Sequence, residues 1–444
     1  MRRMASTALS LIVAVCFVGA RPIAAQPQID RWVGTWSASL VQPAADGDIS
    51  AQGFTDQTVR MVVRITSGGT ALRVRLSNTF GTEPLTIAAG SVGLQGQGAG
   101  VAHGTMLPLT FGAEASVTIP VGADAYSDSV GLAVSPGEDV TISLYVSDPT
   151  GPATRHRLAT ATTWVAQGDH ATDEAPAAFT TTYTSWFWLS GIAVASRQVT
   201  RTVACLGDSI TDGFGSIRDQ NTRYPDFLAR RLLATAPHVS VLNSGIDGNR
   251  ILNDGRGGQE AYGIKAVARF DRDVLTQPGV TDVILLEGIN DIGFGERFPD
   301  QQPAVAEIIA GMRNLISRAH VDGLRIYGGT LTPFRGFTFY YTEAAEAKRQ
   351  AVNDWIRTSG EFDAVIDFDA VLRDEAERLQ LRPEYDSGDH IHPNAAGYNA
   401  MADAVDVALF GSAATQCTCD RNADGQVTID ELVDGVKSAL SGCE

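Results

Sequence analysis

The sequence predicts an α/β domain with helices on both faces of a parallel sheet, an all-β sandwich or jelly-roll domain ahead of it, and a small separate module behind it. Three textures carry that prediction. Residues 26–198 hold short alternating or β-branched runs parted by Gly-Gly, Pro-Gly and Asp-Pro-Thr-Gly turns, with little helical periodicity. Residues 199–411 alternate short apolar strands with longer helical patterns. Residues 412–444 stand apart, with three cysteines around an acidic loop.

A chain of 444 residues has room for two or three domains, and 44% apolar against 19% charged residues excludes global disorder. The net charge of −17 argues against a nucleic-acid partner, because a phosphate-binding surface needs net Lys and Arg. Five cysteines are too few for a disulfide scaffold.

The first element, residues 1–25, has a basic start at Arg2 and Arg3, an apolar stretch over about 8–20, and small residues at Ala24 and Ala25. That is the pattern of a secretory signal peptide cleaved near Ala25. Its apolar run is too short to span a bilayer, and no later segment is long enough. A secreted protein, extracellular or periplasmic and without a membrane span, is expected. Export to oxidising surroundings permits cysteine pairing.

In the β part, 59–65 (VRMVVRI) and 72–76 (LRVRL) alternate, and 140–146 (VTISLYV) is rich in β-branched and aromatic residues. The Trp186-Phe187-Trp188 run, with Trp32 and Trp36 near the start, reads as core packing or as a sugar-stacking platform.

In the α/β part, strands are expected at 202–206, 239–243, 282–287, 325–330 and 364–367, and helices at 224–235, 304–320, 342–358 and 395–409. Ligands in such folds sit at the carboxyl ends of the strands. The first strand ends in Gly207-Asp208-Ser209, which puts Ser209 on an exposed strand-to-helix turn with its N–H near a helix N-terminus. The second ends in Asn243-Ser244-Gly245-Ile246-Asp247-Gly248, where Gly248 offers an unobstructed N–H. The third ends in Glu287-Gly288-Ile289-Asn290-Asp291, which brings the Asn290 carboxamide to the same rim. The late loop Gly388-Asp389-His390-Ile391-His392-Pro393 carries an acid three residues before a histidine. A nucleophile, a base, an acid to orient the base and three N–H donors are what acyl transfer needs. Cys205 reads as an inert core residue and His390 as a rim residue. His103, His156, His170, His238 and His320 show no partner pattern. The absence of G-x-S-x-G disfavours an α/β-hydrolase nucleophile elbow.

The strings GDSITDG, NSGIDGN, EGINDIG and GDHIHP, in that order, resemble the conserved blocks of the SGNH/GDSL hydrolases, over nearly all of 199–410. With a β domain in front, the chain is similar to the secreted bacterial esterase branch. The resemblance implies a flavodoxin-like three-layer fold. It makes Ser209 the nucleophile, His392 the base and Asp389 its orienting acid. The N–H groups of Ser209 and Gly248 and the Asn290 amide become the oxyanion hole, and no cofactor is needed for catalysis. Asp247 departs from the small residue common before the block-two glycine; it is expected to turn away from the oxyanion, toward Arg250.

In the tail, DRNADGQVTIDE (420–431) has the spacing of an EF-hand-type calcium loop, with Asp420, Asn422, Asp424, Gln426 and Glu431 as ligands of a structural Ca2+ and Gly425 at the sharp turn. Loop plus following helix resembles half of a dockerin repeat, which implies a cohesin-like or cell-surface partner. Cys443 can pair with Cys417 or Cys419 to close so small a module.

Together these features predict a secreted serine esterase acting on small acyl esters or acylated polysaccharide, deacetylation being favoured. A general arylesterase or lipase-like acylhydrolase is the alternative; no long apolar lid segment favours long-chain lipids. A non-catalytic carbohydrate-binding or scaffold protein is the reading from another class, against which the five intact site residues stand.

Overall fold

The computed structural model describes residues 30–45, 47–255, 260–411, 431–433 and 437. The expected signal peptide, the loop residues Asp420, Asn422, Asp424 and Gln426, and Cys417, Cys419 and Cys443 lie outside the described residues. Glu431 belongs to a helical stretch, 431–433. Asp30–Ala414 forms one compact unit.

The β-rich part of that unit holds two larger antiparallel sheets. One has the strand order Arg31–Ser37, Leu189–Ser196, Leu72–Ser77, Asp124–Tyr126. The other runs Thr181–Tyr183, Thr163–Gln167, Gln57–Arg64, Asp139–Val146, Ala89–Leu94, Leu107–Pro108. Val59, Met61 and Val63 alternate along one strand and share a core with Leu72, Val74, Leu76, Ile192 and Val194 from the facing sheet. All three runs expected as strands are strands. Trp36, Trp186 and Trp188 are buried, with Trp36 edge-on to Trp186 at 4.9 Å, so these rings fill the core rather than present a stacking face.

The α/β part has five parallel strands in the order Val239–Gly245, Arg201–Gly207, Val280–Leu286, Arg325–Gly329, Ala364–Ile366. The first strand in sequence is therefore second in space, and the chain reverses its winding beside it. That switch point is where such sheets bind ligands. Helices Tyr224–Thr235, Val305–Val321 and Glu343–Thr358 fall where the periodicity puts them. The helix expected over 395–409 instead ends at Ala404: Val405 is extended, and the Asp406 carboxylate caps a new 3₁₀ turn, Val407–Phe410. No helix among the described residues is long and apolar enough to cross a membrane.

The outer strand Val239–Gly245 would leave its free edge unpaired, but hydroxyls from the β-rich part bond to it. Thr66 Oγ1 donates to Val241 O at 3.0 Å and accepts from Val241 N–H at 3.2 Å. Ser37 Oγ donates to Asn243 O at 3.0 Å, and Ser240 Oγ donates back to Gly34 O at 2.7 Å. The edge is thus covered by side chains rather than by another strand.

Candidate active site

Ser209, Gly248 and Asn290 follow the carboxyl ends of the first three parallel strands, and Asp389 and His392 come from the later loop ahead of the helix Ala395–Ala404. Arg201–Gly207 delivers Gly207, where a Cβ would lie 2.1 Å from Thr211 Oγ1 and 2.4 Å from Leu286 O, so only glycine lets the chain turn directly into the helix Ser209–Asp212. Asp208 caps that helix, its Oδ1 accepting from Ile210 N–H at 3.0 Å. Burial pushes the Asp208 carboxyl up to about 7, against the Ile210 N–H and the charges of His392 and Arg269.

Ser209 Oγ lies 2.8 Å from His392 Nε2, and His392 Nδ1 lies 2.5 Å from Asp389 Oδ2. The other Asp389 oxygen accepts from the N–H groups of Ile391 at 3.1 Å and His392 at 2.9 Å. Burial opposes ionisation of Asp389, but the His392 ring and these N–H groups outweigh it and hold the carboxyl well below the usual range. Ser209 is 5% exposed rather than open, because the imidazole lies against its hydroxyl.

The donor side is equally ordered. Gly248 has φ +74°, and a Cβ there would meet Tyr262 Cδ1 at 2.2 Å. Asn290 Nδ2 donates to Asn249 O at 2.9 Å, and its Oδ1 accepts from Tyr340 Oη at 2.8 Å. This network assigns the amide orientation and leaves one Nδ2–H for a further acceptor. Asp291 braces the neighbouring loop by accepting from Ile251 N–H at 2.7 Å and Leu252 N–H at 3.0 Å.

Several supporting residues carried no sequence signal. Arg269 is fully buried and donates to Gly207 O at 2.9 Å, Ser244 O at 2.7 Å, Asn249 Oδ1 at 2.8 Å and Asp273 Oδ2 at 3.0 Å. One guanidinium thus ties the ends of the first two strands together. Asp247 does turn into an ion pair, but with Arg157 of the β-rich part rather than with Arg250, which instead donates to Gln301 Oε1 and Asp254 O. Four of the histidines that lacked a partner pattern have carboxylate partners: His103 with Glu174, His156 with Asp212, His170 with Asp173 and His320 with Asp363. Exposed His390 pairs with Asp386. Burial pushes the Cys205 thiol up to about 12. Among the described residues no cluster of His, Cys, Asp and Glu side chains could hold a metal ion.

Residues 205–400 match the family model described as GDSL-like Lipase/Acylhydrolase. This part of the chain is a GDSL-like acylhydrolase domain. The GDSL domain is similar to several solved structures. A GDSL-like lipase from Bacteroides thetaiotaomicron is 18% identical, with 46% of this chain and 85% of that one covered and a TM-score of 0.34. An acetyl xylan esterase from Geobacillus stearothermophilus is 22% identical, with 46% and 93% covered and a TM-score of 0.35. An α/β hydrolase enzyme from the metagenome of Lake Arreo is 20% identical, with 46% and 93% covered and a TM-score of 0.35. No curated protein matches the chain. The matched region begins within the strand Arg201–Gly207 and contains every residue of the Ser209–His392–Asp389 chain.

Proposed function

We propose that the protein is a secreted serine esterase that cleaves carboxylic esters through an acyl-enzyme, with acetyl or other small acyl groups on polysaccharide as its substrate class. The observation that carries the reading is the unbroken hydrogen-bonded chain from Ser209 Oγ through His392 to Asp389. Ser209 Oγ attacks the ester carbon as its proton passes to His392 Nε2. The carbonyl oxygen becomes an oxyanion, met by the Ser209 and Gly248 N–H groups and the remaining Asn290 Nδ2–H; one such donor is typically worth ~3–4 kcal/mol. His392 then returns the proton to the departing alkoxide oxygen as the C–O bond breaks. Water, deprotonated by the same nitrogen, attacks the acyl-enzyme; the acyl C–Oγ bond breaks, His392 Nε2 returns the proton to Ser209 Oγ, and the acid is released. Asp389 keeps the ring in the right tautomer and stabilises its cation.

The polysaccharide preference rests on the leader and on the dockerin-like tail, in which Asp420, Asn422, Asp424, Gln426 and Glu431 would hold Ca2+ and support a cohesin-like or cell-surface contact. Hydrolysis of p-nitrophenyl acetate by the wild type and by Ser209→Ala tests the chemistry; equal rates reject it. Acetate release from acetylated xylan, set against hydrolysis of longer-chain esters, tests the substrate class; faster cleavage of the longer esters favours the lipase-like reading. For the tail, Ca2+ should raise thermal stability, and Glu431→Ala should remove that response.

A further inference from the structure

No side chain of the β-rich part belongs to the Ser209–His392–Asp389 chain, yet two of them reach the loops that carry its donors. His156 is 4% exposed and ends the short strand Arg155–His156. Its Nδ1 faces Ser39 O at 2.8 Å and its Nε2 faces Asp212 Oδ1 at 2.9 Å. Both partners are acceptors, so both nitrogens donate and the ring is an imidazolium. Burial disfavours that charge, but the Asp212 carboxylate and the Ser39 carbonyl outweigh it, and also outweigh the Arg223 charge, so the pKa is raised. Trp186 stacks on the ring at 5.4 Å.

Asp212 closes the helix that Ser209 opens. Its second oxygen accepts from Asp247 N–H at 2.9 Å. The Asp247 carboxylate pairs with Arg157, and the Arg157 guanidinium lies over the Tyr262 ring, which packs on Gly248. Asp247 is therefore held at its N–H and at its carboxylate, immediately before the Gly248 N–H.

We propose that His156 and Arg157 are positioning residues for the Gly248 donor. Acting through Asp212 and Asp247, they fix the backbone leading into that N–H. They also neutralise two carboxylates that would otherwise oppose negative charge developing at the reacting oxygen. Neither touches substrate. The inference rests on the esterase reading above and assigns the β-rich part a share in its turnover.

The test uses the full chain. His156→Phe keeps a ring against Trp186 and removes both donors. Arg157→Gln removes the charge from a side chain that is 37% exposed, and Arg157→Lys restores it. With p-nitrophenyl acetate, the first two variants should lose on the order of tenfold in kcat with KM within about twofold, as expected for an interaction felt mainly in the transition state. Arg157→Lys should recover most of the loss. A merely structural role would lower the thermal midpoint and leave kcat per folded molecule unchanged. Amide hydrogen exchange in the segment holding Gly248 gives a readout independent of activity and should quicken in both variants. Arg157→Gln with wild-type kcat and wild-type exchange overturns the proposal, whether or not His156→Phe folds. If the wild type itself cleaves no ester, the esterase reading fails, and the exchange measurement still decides the positioning.

Discussion

The Tyr340 hydroxyl donates to Asn290 Oδ1 at 2.8 Å, and together with the Asn290 Nδ2–H bond to Asn249 O it fixes the orientation of the carboxamide. Without it, only the Asn249 carbonyl opposes a flip that would turn an acceptor toward the proposed oxyanion. Tyr340→Phe keeps the ring contacts with Phe294 and Phe337 and deletes the donor. The expected outcome is a fall in kcat of about tenfold, matching a net hydrogen bond of ~1–1.5 kcal/mol, with KM nearly unchanged. Steady-state kinetics on p-nitrophenyl acetate checks this; a wild-type kcat would mean that Asn249 alone suffices.

Glu287 follows the strand Val280–Leu286, is fully buried, and has no hydrogen-bond partner for either carboxyl oxygen among the described residues; Arg269 Nη2 stands 3.8 Å away. Burial, reinforced by Asp208 and Asp291, pushes its carboxyl well above the usual range despite Arg269. The folded state therefore keeps a proton that the unfolded state releases. Its contribution turns increasingly unfavourable as pH rises from about 4 toward the raised value. Glu287→Gln removes that burden. Its gain in thermal midpoint over the wild type should be larger at pH 8 than at pH 5, and equal gains would count against the argument.

Asp389 shifts the opposite way. Because its folded pKa is depressed, the stability it lends is fully present above about pH 4 and drains away as pH falls through the lowered value. Asp389→Asn should therefore be less stable than the wild type at pH 6, with the gap narrowing toward pH 2. Its kcat should drop by up to about 10⁴-fold, as for the comparable Asp→Asn change in a serine-protease triad, because the neutral amide lets His392 settle in the wrong tautomer. Melting curves at the two pH values and turnover at pH 7 check both halves.

Phe214 is 39% exposed, and its ring centroid lies 4.3 Å from that of His392. In the proposed mechanism His392 protonates the leaving oxygen, which would set this ring beside the alcohol part of the ester. Phe214→Ala should raise KM several-fold for p-nitrophenyl acetate and have little effect on ethyl acetate, whose alcohol has no ring to pack. Parallel rises for both esters would argue that the ring acts on His392 alone.

Sequence patterning made much of the α/β part legible. The helix Tyr224–Thr235 and the five parallel strands follow from local periodicity, and Ser209, Asn290, Asp389 and His392 sit where strand ends and loops put them. Local pattern failed wherever a partner comes from far along the chain. His156 meets Asp212 across 56 positions and Tyr340 meets Asn290 across 50, and neither pairing has a periodic signature. Asp247 could be recognised as unusual, but Arg157, ninety positions upstream, could not be recognised as its partner. Glu287 looked like one more strand-end residue; that its carboxyl is shut in with two other acids is a property of packing.

The hydroxyls of Ser37 and Thr66 that occupy the rim of the outer parallel strand have a practical corollary. A shortened chain beginning near residue 199 would keep every group proposed to handle the ester yet bare a ribbon of hungry amides and carbonyls. Such a fragment should clump or pair with its twin rather than stay dispersed.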